Sequence, residues 1–460
     1  MIRPASAAAL LLFAIPARGE TLTLDDALAI AARVGGDVQL SRLEVETAQT
    51  DHFASYAGVL PRLDLSLTLQ RSFYGAQSSV STVPVVDPTS LDLAFEQQVV
   101  NVPASSFPNY GLSLTLQQPL FDGRRNWSLI ERSQLAVTAA QRQLDEVALS
   151  QSFEVIRRFF EVLKAERRER VLAETVERSE ELVRRSQVLF EAGRLKRGDV
   201  IAAQVNLGTD RINLAGQRAR GEQARADLAV LLARSPADPF EIVPPTDVDG
   251  KSPAVAEGPP LAELLARAHR DRPLLSRYRE LLGQAALDRR IASADRYPSV
   301  SAGLSYGRSG PTFAGADGVF GNPARQFVAT GQVLVQWNLF NGRLTSANEQ
   351  RAEIGERQVG LQAEAAMRQV DGEVARSRAS VVWLAQEESL ARENLSSAEE
   401  GVRLARERLD AGAATQLEVR DAALKLTLAQ LTLVNTRIDR VVARADLARA
   451  VGGSIREAPR

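Results

Sequence analysis

The feature that most constrains this chain is that it contains itself twice. Leu120 to Arg124 (LFDGR) returns as Leu339 to Arg343 (LFNGR), which pairs Phe121 with Phe340 at an offset of 219 residues. The same offset pairs Ala192-Gly193 with Ala411-Gly412, and Asp227 to Ala229 with Asp446 to Ala448. Two copies therefore run for more than 100 residues without a net insertion. Loops drift in length; long helices packed against equivalent helices keep register. Upstream the offset changes: Leu60-Pro61 matches Tyr297-Pro298 at 237, as Leu28 matches Leu265. The 18 extra residues of the first copy must lie between Pro61 and Phe121.

The duplication sets the domain plan. Residues 20–234 form the first repeat and 261–453 the second, with a short tail at 454–460. Residues 235–260 join the repeats and hold seven prolines, so this stretch is a linker or strand-like connection rather than a helix. Each repeat reads as a helix (roughly 24–57 and 260–294), two strands, a very long helix, a glycine turn and a last helix. Residues 1–19 read as a secretory signal: Arg3 in the n-region, an apolar core from Ala5 to Ile15, a break at Pro16 and small residues before Glu20. A chain cleaved there carries no cysteine to acylate.

The strand segments alternate with period two. Leu63, Leu65, Leu67 and Leu69 interleave with Asp64, Ser66, Thr68 and Gln70; Tyr110, Leu112, Leu114 and Leu116 interleave with Gly111, Ser113, Thr115 and Gln117. The second copy is looser, with Val300, Ala302, Leu304 and Tyr306, then Phe327, Ala329, Val333, Val335, Trp337 and Leu339. Strands are expected at about 62–73, 110–119, 299–308 and 327–339, each with one apolar face. Roughly ten residues is what a tilted transmembrane strand requires. Phe121, Trp127, Trp337 and Phe340 gather at the helix-proximal strand ends, where an interfacial aromatic belt would sit. Backbone groups in lipid must all be paired, so a spanning sheet must close. Four strands cannot close when barrels start at about eight. Spanning strands thus imply a barrel shared between chains. The Ser-, Pro- and Val-rich segment 74–109 reads as a long extracellular loop.

The long helices carry a coiled-coil seam. From about Asn126 to Ala192 there is no proline or glycine, enough for a helix on the order of 100 Å. Its counterpart spaces Val370, Val374, Ser377, Val381, Leu384, Glu388, Ala391, Leu395, Ala398, Val402, Ala405 and Leu409 alternately by four and three, a 3.5-residue period. Phe153, Ile156, Phe160 and Leu163, then Leu172, Val176, Ser179, Val183, Ser186 and Phe190, continue it in the first copy. Glu388 and Glu169 interrupt the seam and are read as its solvated edge. A periplasmic coiled-coil rod without channel activity would account for these helices, but not for the strands.

Composition removes other classes. Fifty-six basic residues balance 57 acidic ones, so nothing draws the chain to nucleic acid. Cysteine is absent, and the two histidines, His52 and His269, are far apart. There is no G-x-S-x-G elbow, histidine metal motif or Gly-rich phosphate loop, which argues against an enzyme and against a metal or other cofactor. Two methionines and no cysteine disfavour a dedicated exporter of soft metals.

At the far end of the long helices the sequence Phe190 to Ala202 is matched by Leu409 to Asp421. Gly193 and Gly412 can take positive φ and stop a helix. Asp199 and Glu418 follow six residues later in the next helix's first turn, where capping explains a carboxylate without further function. Together, the signal, the duplicated unit, the Leu-Pro and Tyr-Pro strand starts, the Leu-Phe-Asp/Asn-Gly-Arg strand exits and the Ala-Gly-x(5)-acid-Val turns resemble a TolC-family outer-membrane factor over roughly residues 22–453.

That resemblance implies an α+β membrane protein: a homotrimer with a 12-stranded β-barrel in outer-membrane lipid on a long α-helical periplasmic tunnel. It implies a channel in a tripartite efflux or type I secretion system, fed by an inner-membrane transporter through a periplasmic adaptor. Gly193, Leu195 and Gly412 would mark the adaptor-contact turns. The family's mouth acids match Glu418 and Asp421, and a first-copy acid that helps hold the mouth shut matches Asp199. The family's basic partner near the second glycine is replaced by Ala414, leaving Arg420, Arg197 and Arg194 as candidates for that role.

Overall fold

The computed structural model describes residues 20–86, 88–89, 93–238, 240–245, 259–322 and 327–453. The expected signal segment 1–19, the tail 454–460 and much of the linker lie outside the described residues. The chain divides into two compact units. One comprises Met1–Ala48, Ala136–Leu282 and Gln358–Arg460; the other comprises Gln49–Leu135 and Gly283–Arg357.

The duplication reappears in the helices. α3 (Arg125–Glu191) and α7 (Leu344–Asp410) each have 67 residues, and α4 (Arg197–Leu231) and α8 (Gln416–Ala450) each have 35. All four start at the offset of 219 read from the motifs. Along α7 the whole 4-3 seam is buried or half-buried, from Val370 to Leu409, while the positions between are mostly exposed.

The opening helix of each repeat, expected as one piece, is broken in two. α1 (Leu24–Val34) and α2 (Gly36–Ser55) part at Gly35, and α5 (Leu261–Asp271) and α6 (Pro273–Ser293) part at Arg272. In the second copy Pro273 has no amide to donate and pushes the preceding residue to extended backbone; Arg272 has ψ 120. In the first copy the Gly35-Gly36 pair gives the helix little reason to continue. α1 begins on a reciprocal cap: the Thr23 hydroxyl accepts from Asp26 N–H (3.2 Å), and the Asp26 carboxylate accepts from Thr23 N–H (3.3 Å).

The helical unit's core lies where α3, α4 and α8 meet α1. Ile156, Phe159, Phe160, Leu163, Leu228 and Leu232 are almost wholly buried there. Phe160 alone fills a volume whose loss costs about 3–5 kcal/mol. The described part of the linker supplies β6 (Phe240–Ile242), which pairs in parallel with β1 (Glu20–Leu22) and buries Leu22 and Ile242 in the same core. A smaller cluster joins α5, α6, α7 and the end of α8 through Leu264, Ala268, Leu275, Val370, Val374 and Ala450.

The second unit holds an antiparallel sheet in the order β2-β5-β7-β8: Arg62–Tyr74, Ser105–Phe121, Ser299–Gly310 and Phe327–Gln336. Its register puts Leu65 opposite Leu114, Leu114 opposite Tyr306, and Tyr306 opposite Ala329. One face therefore collects Leu63, Leu65, Leu67, Leu112, Leu114, Leu116, Leu304 and Val333. The other collects Ser66, Thr68, Ser113, Thr115, Ser305 and Thr330, with Ser66 and Ser113 hydroxyls 2.7 Å apart. Among the described residues β2 and β8 have no strand beyond them, and Leu65 and Val333 on these edges are exposed.

Two strand expectations need correction. Segment 74–109 is not a loop: β3 (Gln77–Val86) pairs with β4 (Leu93–Val102) as a hairpin of its own. Its serines and prolines suggested coil, yet Val80, Val83, Val85, Val99 and Val100 are strong strand formers. Pro84 is tolerated because a two-stranded ribbon leaves one side of each strand unpaired. Secondly, β8 stops at Gln336, so Trp337 and Leu339 lie beyond the ladder.

The repeated LF(D/N)GR motif is the strand-to-helix corner. Gly123 and Arg124, and likewise Gly342 and Arg343, have φ near +70°, a left-handed pair in each copy. The residue before each pair caps the next helix: Asp122 accepts from Asn126 N–H (2.8 Å), and Asn341 accepts from Thr345 N–H (3.4 Å).

The faces make a testable difference. Leu114→Arg puts a charge on the apolar face and is expected to cost ~2–4 kcal/mol at bilayer depth. Ser113→Arg, one residue away on the polar face, is expected to be tolerated. Folding yield and unfolding midpoints in lipid bilayers would distinguish them; equal losses would contradict the face assignment.

Candidate functional site: the glycine turns and the buried charges

The resemblance places function at the α3–α4 and α7–α8 turns, both within the helical unit. The local geometry follows from glycine. Gly193 and Gly412 adopt φ 71° and 74°. At the first turn Arg194 N–H reaches back to Leu189 C=O (2.8 Å) and Gly193 N–H to Phe190 C=O (2.9 Å); at the second, Ala413 N–H bonds Arg408 C=O (2.8 Å) and Gly412 N–H bonds Leu409 C=O (3.0 Å). This double closure satisfies the last carbonyls of each long helix. A Cβ at either glycine would meet open space, so backbone sign, not crowding, calls for glycine.

The acids that follow are capping groups. Thr415 accepts from Glu418 N–H (3.3 Å) while the Glu418 carboxylate accepts from Thr415 N–H (3.1 Å). Asp199 accepts from Lys196 N–H (3.2 Å), with no hydroxyl at the cap to reciprocate. Glu418 also lies 3.6 Å from Arg408, and Asp421 lies 2.7 Å from Lys425 one turn on. Arg408 and Lys425 are thus the cations beside the two second-copy acids. The Asp421–Lys425 spacing of four was a readable signal; the Arg408–Glu418 contact, made across the turn, was not.

The three arginines considered as basic partners have different surroundings. Arg194 and Arg197 are exposed and, among the described residues, make no side-chain hydrogen bond or ion pair. Arg420 is buried, and its guanidinium donates to both Asp210 oxygens (2.7 and 3.0 Å) and to Ser179 (3.1 Å). Ser179 in turn donates to Asp210 (2.5 Å). Arg420 therefore joins α8 to α4 and α3 inside the protomer. Leu195 is half-buried. In the other unit, Phe121, Trp127, Trp337 and Phe340 are all exposed, Phe340 by 81%.

Glu388 is not the solvated edge of the seam. It is 2% exposed and meets Arg392 (2.5 Å), Arg440 (2.9 Å) and Arg437 (3.4 Å). Three guanidiniums repay its burial, and two of them come from α8, more than 45 residues away in sequence. Burial pushes the Arg440 guanidinium below its usual range, Glu388 opposes that shift, and Arg444, Arg392 and Arg437 add to it. Its first-copy counterpart Glu169 keeps more exposure and pairs with Arg218 (2.9 Å). A second buried cluster sits at the α5–α6 break. There Arg272, 3% exposed in its side chain, pairs with Glu146 (2.7 Å) and Glu373 (3.4 Å), and Arg449 shares Glu373 (3.4 Å).

Among the described residues no cluster of three or more His, Cys, Asp or Glu is placed to hold a metal ion. No helix among the described residues is long and apolar enough to cross a membrane. The arrangement suits a helical wall locked by buried charge and ended by tight, capped turns. Removing one partner from such a cluster is costly: Glu388→Ala is expected to destabilise the protein by about 3–5 kcal/mol in denaturant unfolding. Joint replacement of Glu388 and Arg440 by Met should recover much of that loss. A Glu388→Ala variant as stable as the parent would remove the cluster's structural role.

Comparison with known proteins agrees with this geometry. The profile of the family described as "Outer membrane efflux protein" matches residues 35–234 and 264–453, most of both repeats. Similar solved structures include a membrane protein from Pseudomonas aeruginosa, at 21% identity and TM-score 0.77, with 93% of each chain covered. The outer membrane protein VceC from Vibrio cholerae has 18% identity and TM-score 0.72, covering 94% of this chain and 96% of that one. The open state of the Neisseria gonorrhoeae MtrE outer membrane channel has 20% identity and TM-score 0.71, covering 94% and 89%. At such identities these likenesses speak to fold. No curated protein matches the chain. The fold, a duplicated unit of strands and long helices, is shared with these outer-membrane channels. By its profile match across both repeats, the chain belongs to the outer membrane efflux protein family, and it is an outer-membrane efflux channel subunit with a periplasmic extension, not a member of an enzyme family.

Proposed function

We propose that three copies pool their four-stranded sheets into one 12-stranded barrel in outer-membrane lipid. The α3–α4 and α7–α8 turns then form a periplasmic mouth that an adaptor protein engages on behalf of an inner-membrane transporter. The observation that carries this reading is the open sheet: two unpaired edges flank an apolar face of leucines and valines. A lipid-facing sheet leaves no edge unpaired, so β2 of one copy meets β8 of the next.

In this proposal Glu418 and Asp421 give six carboxylates at a narrow mouth. Their caps and neighbouring cations, Arg408 and Lys425, set the resting conformation. Asp199, on the first-copy turn, helps keep the mouth shut. Like charges brought close attract cations, so divalent cations plug the pore from the mouth side. Adaptor contact at Gly193, Leu195 and Gly412 favours a splayed state and opens it. Arg194 and Arg197, exposed and without an ion pair among the described residues, would meet carboxylates of a neighbour. Phe121, Trp127, Trp337 and Phe340 hold the barrel at the inner interface.

Single-channel recording in planar bilayers tests the mouth. The parent protein is expected to conduct and to be blocked by millimolar divalent cation from one side only. The Glu418→Ala, Asp421→Ala double variant should conduct with block weakened about tenfold or more, the loss of roughly 1.4 kcal/mol per site. Undiminished block in that variant would take the gating role away from these acids.

A further inference from the structure

Between α3, α7 and α8, behind the α7–α8 turn, lies a cavity of about 100 Å³. That is room for roughly three waters at ~30 Å³ each. Its lining is unbalanced: four arginines, Arg178, Arg185, Arg406 and Arg420, face one carboxylate, Glu181. Two of the four are already neutralised. Arg420 holds Asp210 in a two-pronged pair, and Arg185 pairs with Asp410.

Arg178 and Arg406 are different. The nearest carboxylate to Arg178, on Glu174, is 3.8 Å away, and its hydrogen bonds go to neutral groups: Thr175 (2.9 Å), Thr427 (3.4 Å) and Gln430 (3.4 Å). Arg406 makes no hydrogen bond or ion pair among the described residues. Burial pushes the Arg178 guanidinium below its usual range; Glu174 opposes that shift, the Arg406 charge adds to it, and Asp210 and Glu177 oppose it further. The buried Nε atoms of Arg178 and Arg420 also lack partners. A concave site in which Arg406 has no ion pair among the described residues, Arg178 meets one carboxylate only at 3.8 Å, and buried N–H donors are orphaned is suited to accept negative charge.

We infer that this cavity is a binding site for a small oxyanion of the phosphate class, held by Arg178 from α3 and Arg406 from α7. Planar guanidinium forks match the paired oxygens of such an anion, which a spherical halide does not offer. The bound anion offsets the repulsion between the Arg178 and Arg406 charges, adds to the Arg185–Asp410 link between α3 and α7, and so stiffens the wall next to the α7–α8 turn. Binding here is independent of the channel-mouth reading, because it is measured without conductance.

The test is calorimetry and thermal unfolding of the detergent-purified, full-length protein with inorganic phosphate, against chloride at matched ionic strength. Saturable binding of one phosphate per protomer is expected, with a rise in the unfolding midpoint that chloride does not give. Arg406→Gln alters an exposed side chain and leaves the fold intact; it should weaken binding about tenfold or more, as should Arg178→Gln. Arg194→Gln, on the exposed turn, should leave binding unchanged. Glu181→Gln removes the competing carboxylate and should tighten it. No saturable phosphate binding would overturn the proposal, as would binding untouched by Arg406→Gln and Arg178→Gln. So would an Arg406→Gln protein that loses its oligomeric state without any phosphate effect, since that would assign Arg406 to a carboxylate of a neighbouring copy.

Discussion

A sheet edge cannot be left open in hydrocarbon. Each unpaired backbone N–H or C=O there costs several kcal/mol, and this chain supplies four strands with two free edges. Its apolar and polar faces are kept apart through the middle of the sheet, Leu114 beside Tyr306 on one and Ser113 beside Gly307 on the other. In the proposed barrel such a sheet is finished by other copies of itself. On that proposal oligomerisation is part of folding in lipid, and the duplication halves the number of chains a 12-stranded barrel requires.

The helical unit meets a different constraint. Helices of 67 residues need a continuous contact partner, and the seam provides it with small and β-branched residues. Into that seam the sequence inserts charge, at Glu388 with three arginines and at Asp210 with Arg420 and Ser179. A buried ion pair adds little net stability over a hydrophobic pair, but breaking one is expensive. Apolar 3.5-residue seams can slip by a heptad; a carboxylate that must meet Arg437 and Arg440 permits one register. These clusters act as register marks along helices whose other contacts are repetitive.

Much of this was legible in the sequence, for physical reasons. The 219-residue offset survived because helices of equal length must keep equal length. The 4-3 seam and the leucine alternation were visible because burial on one face imposes a period. Gly193 and Gly412 announced positive φ, and the acids after them announced caps. What stayed hidden depended on distant partners or on signals given too little weight. The burial of Glu388 depends on arginines of α8, and the burial of Arg420 depends on Asp210, 210 residues before it. Pro273 did mark the α5–α6 break, and the Gly35-Gly36 pair marked its counterpart. The valines of 80–100 carried the strand signal of the β3–β4 hairpin beneath a serine-rich composition.

In the proposed barrel β2 of one copy pairs with β8 of another. The chain has no cysteine, so introduced thiols report on nothing else. Within one chain β2 and β8 are separated by β5 and β7, a gap of roughly 14 Å at ~4.8 Å per strand, while a disulfide spans less than about 7 Å. Cysteines at Ser66 or Thr68 on β2, combined with cysteines at Thr330 or Gln332 on β8, would be oxidised in intact membranes and resolved without reductant. At least one combination should yield covalent dimers and trimers that collapse to monomer on reduction. Monomer alone from every combination, with each thiol reactive to a soluble maleimide, would contradict the shared barrel.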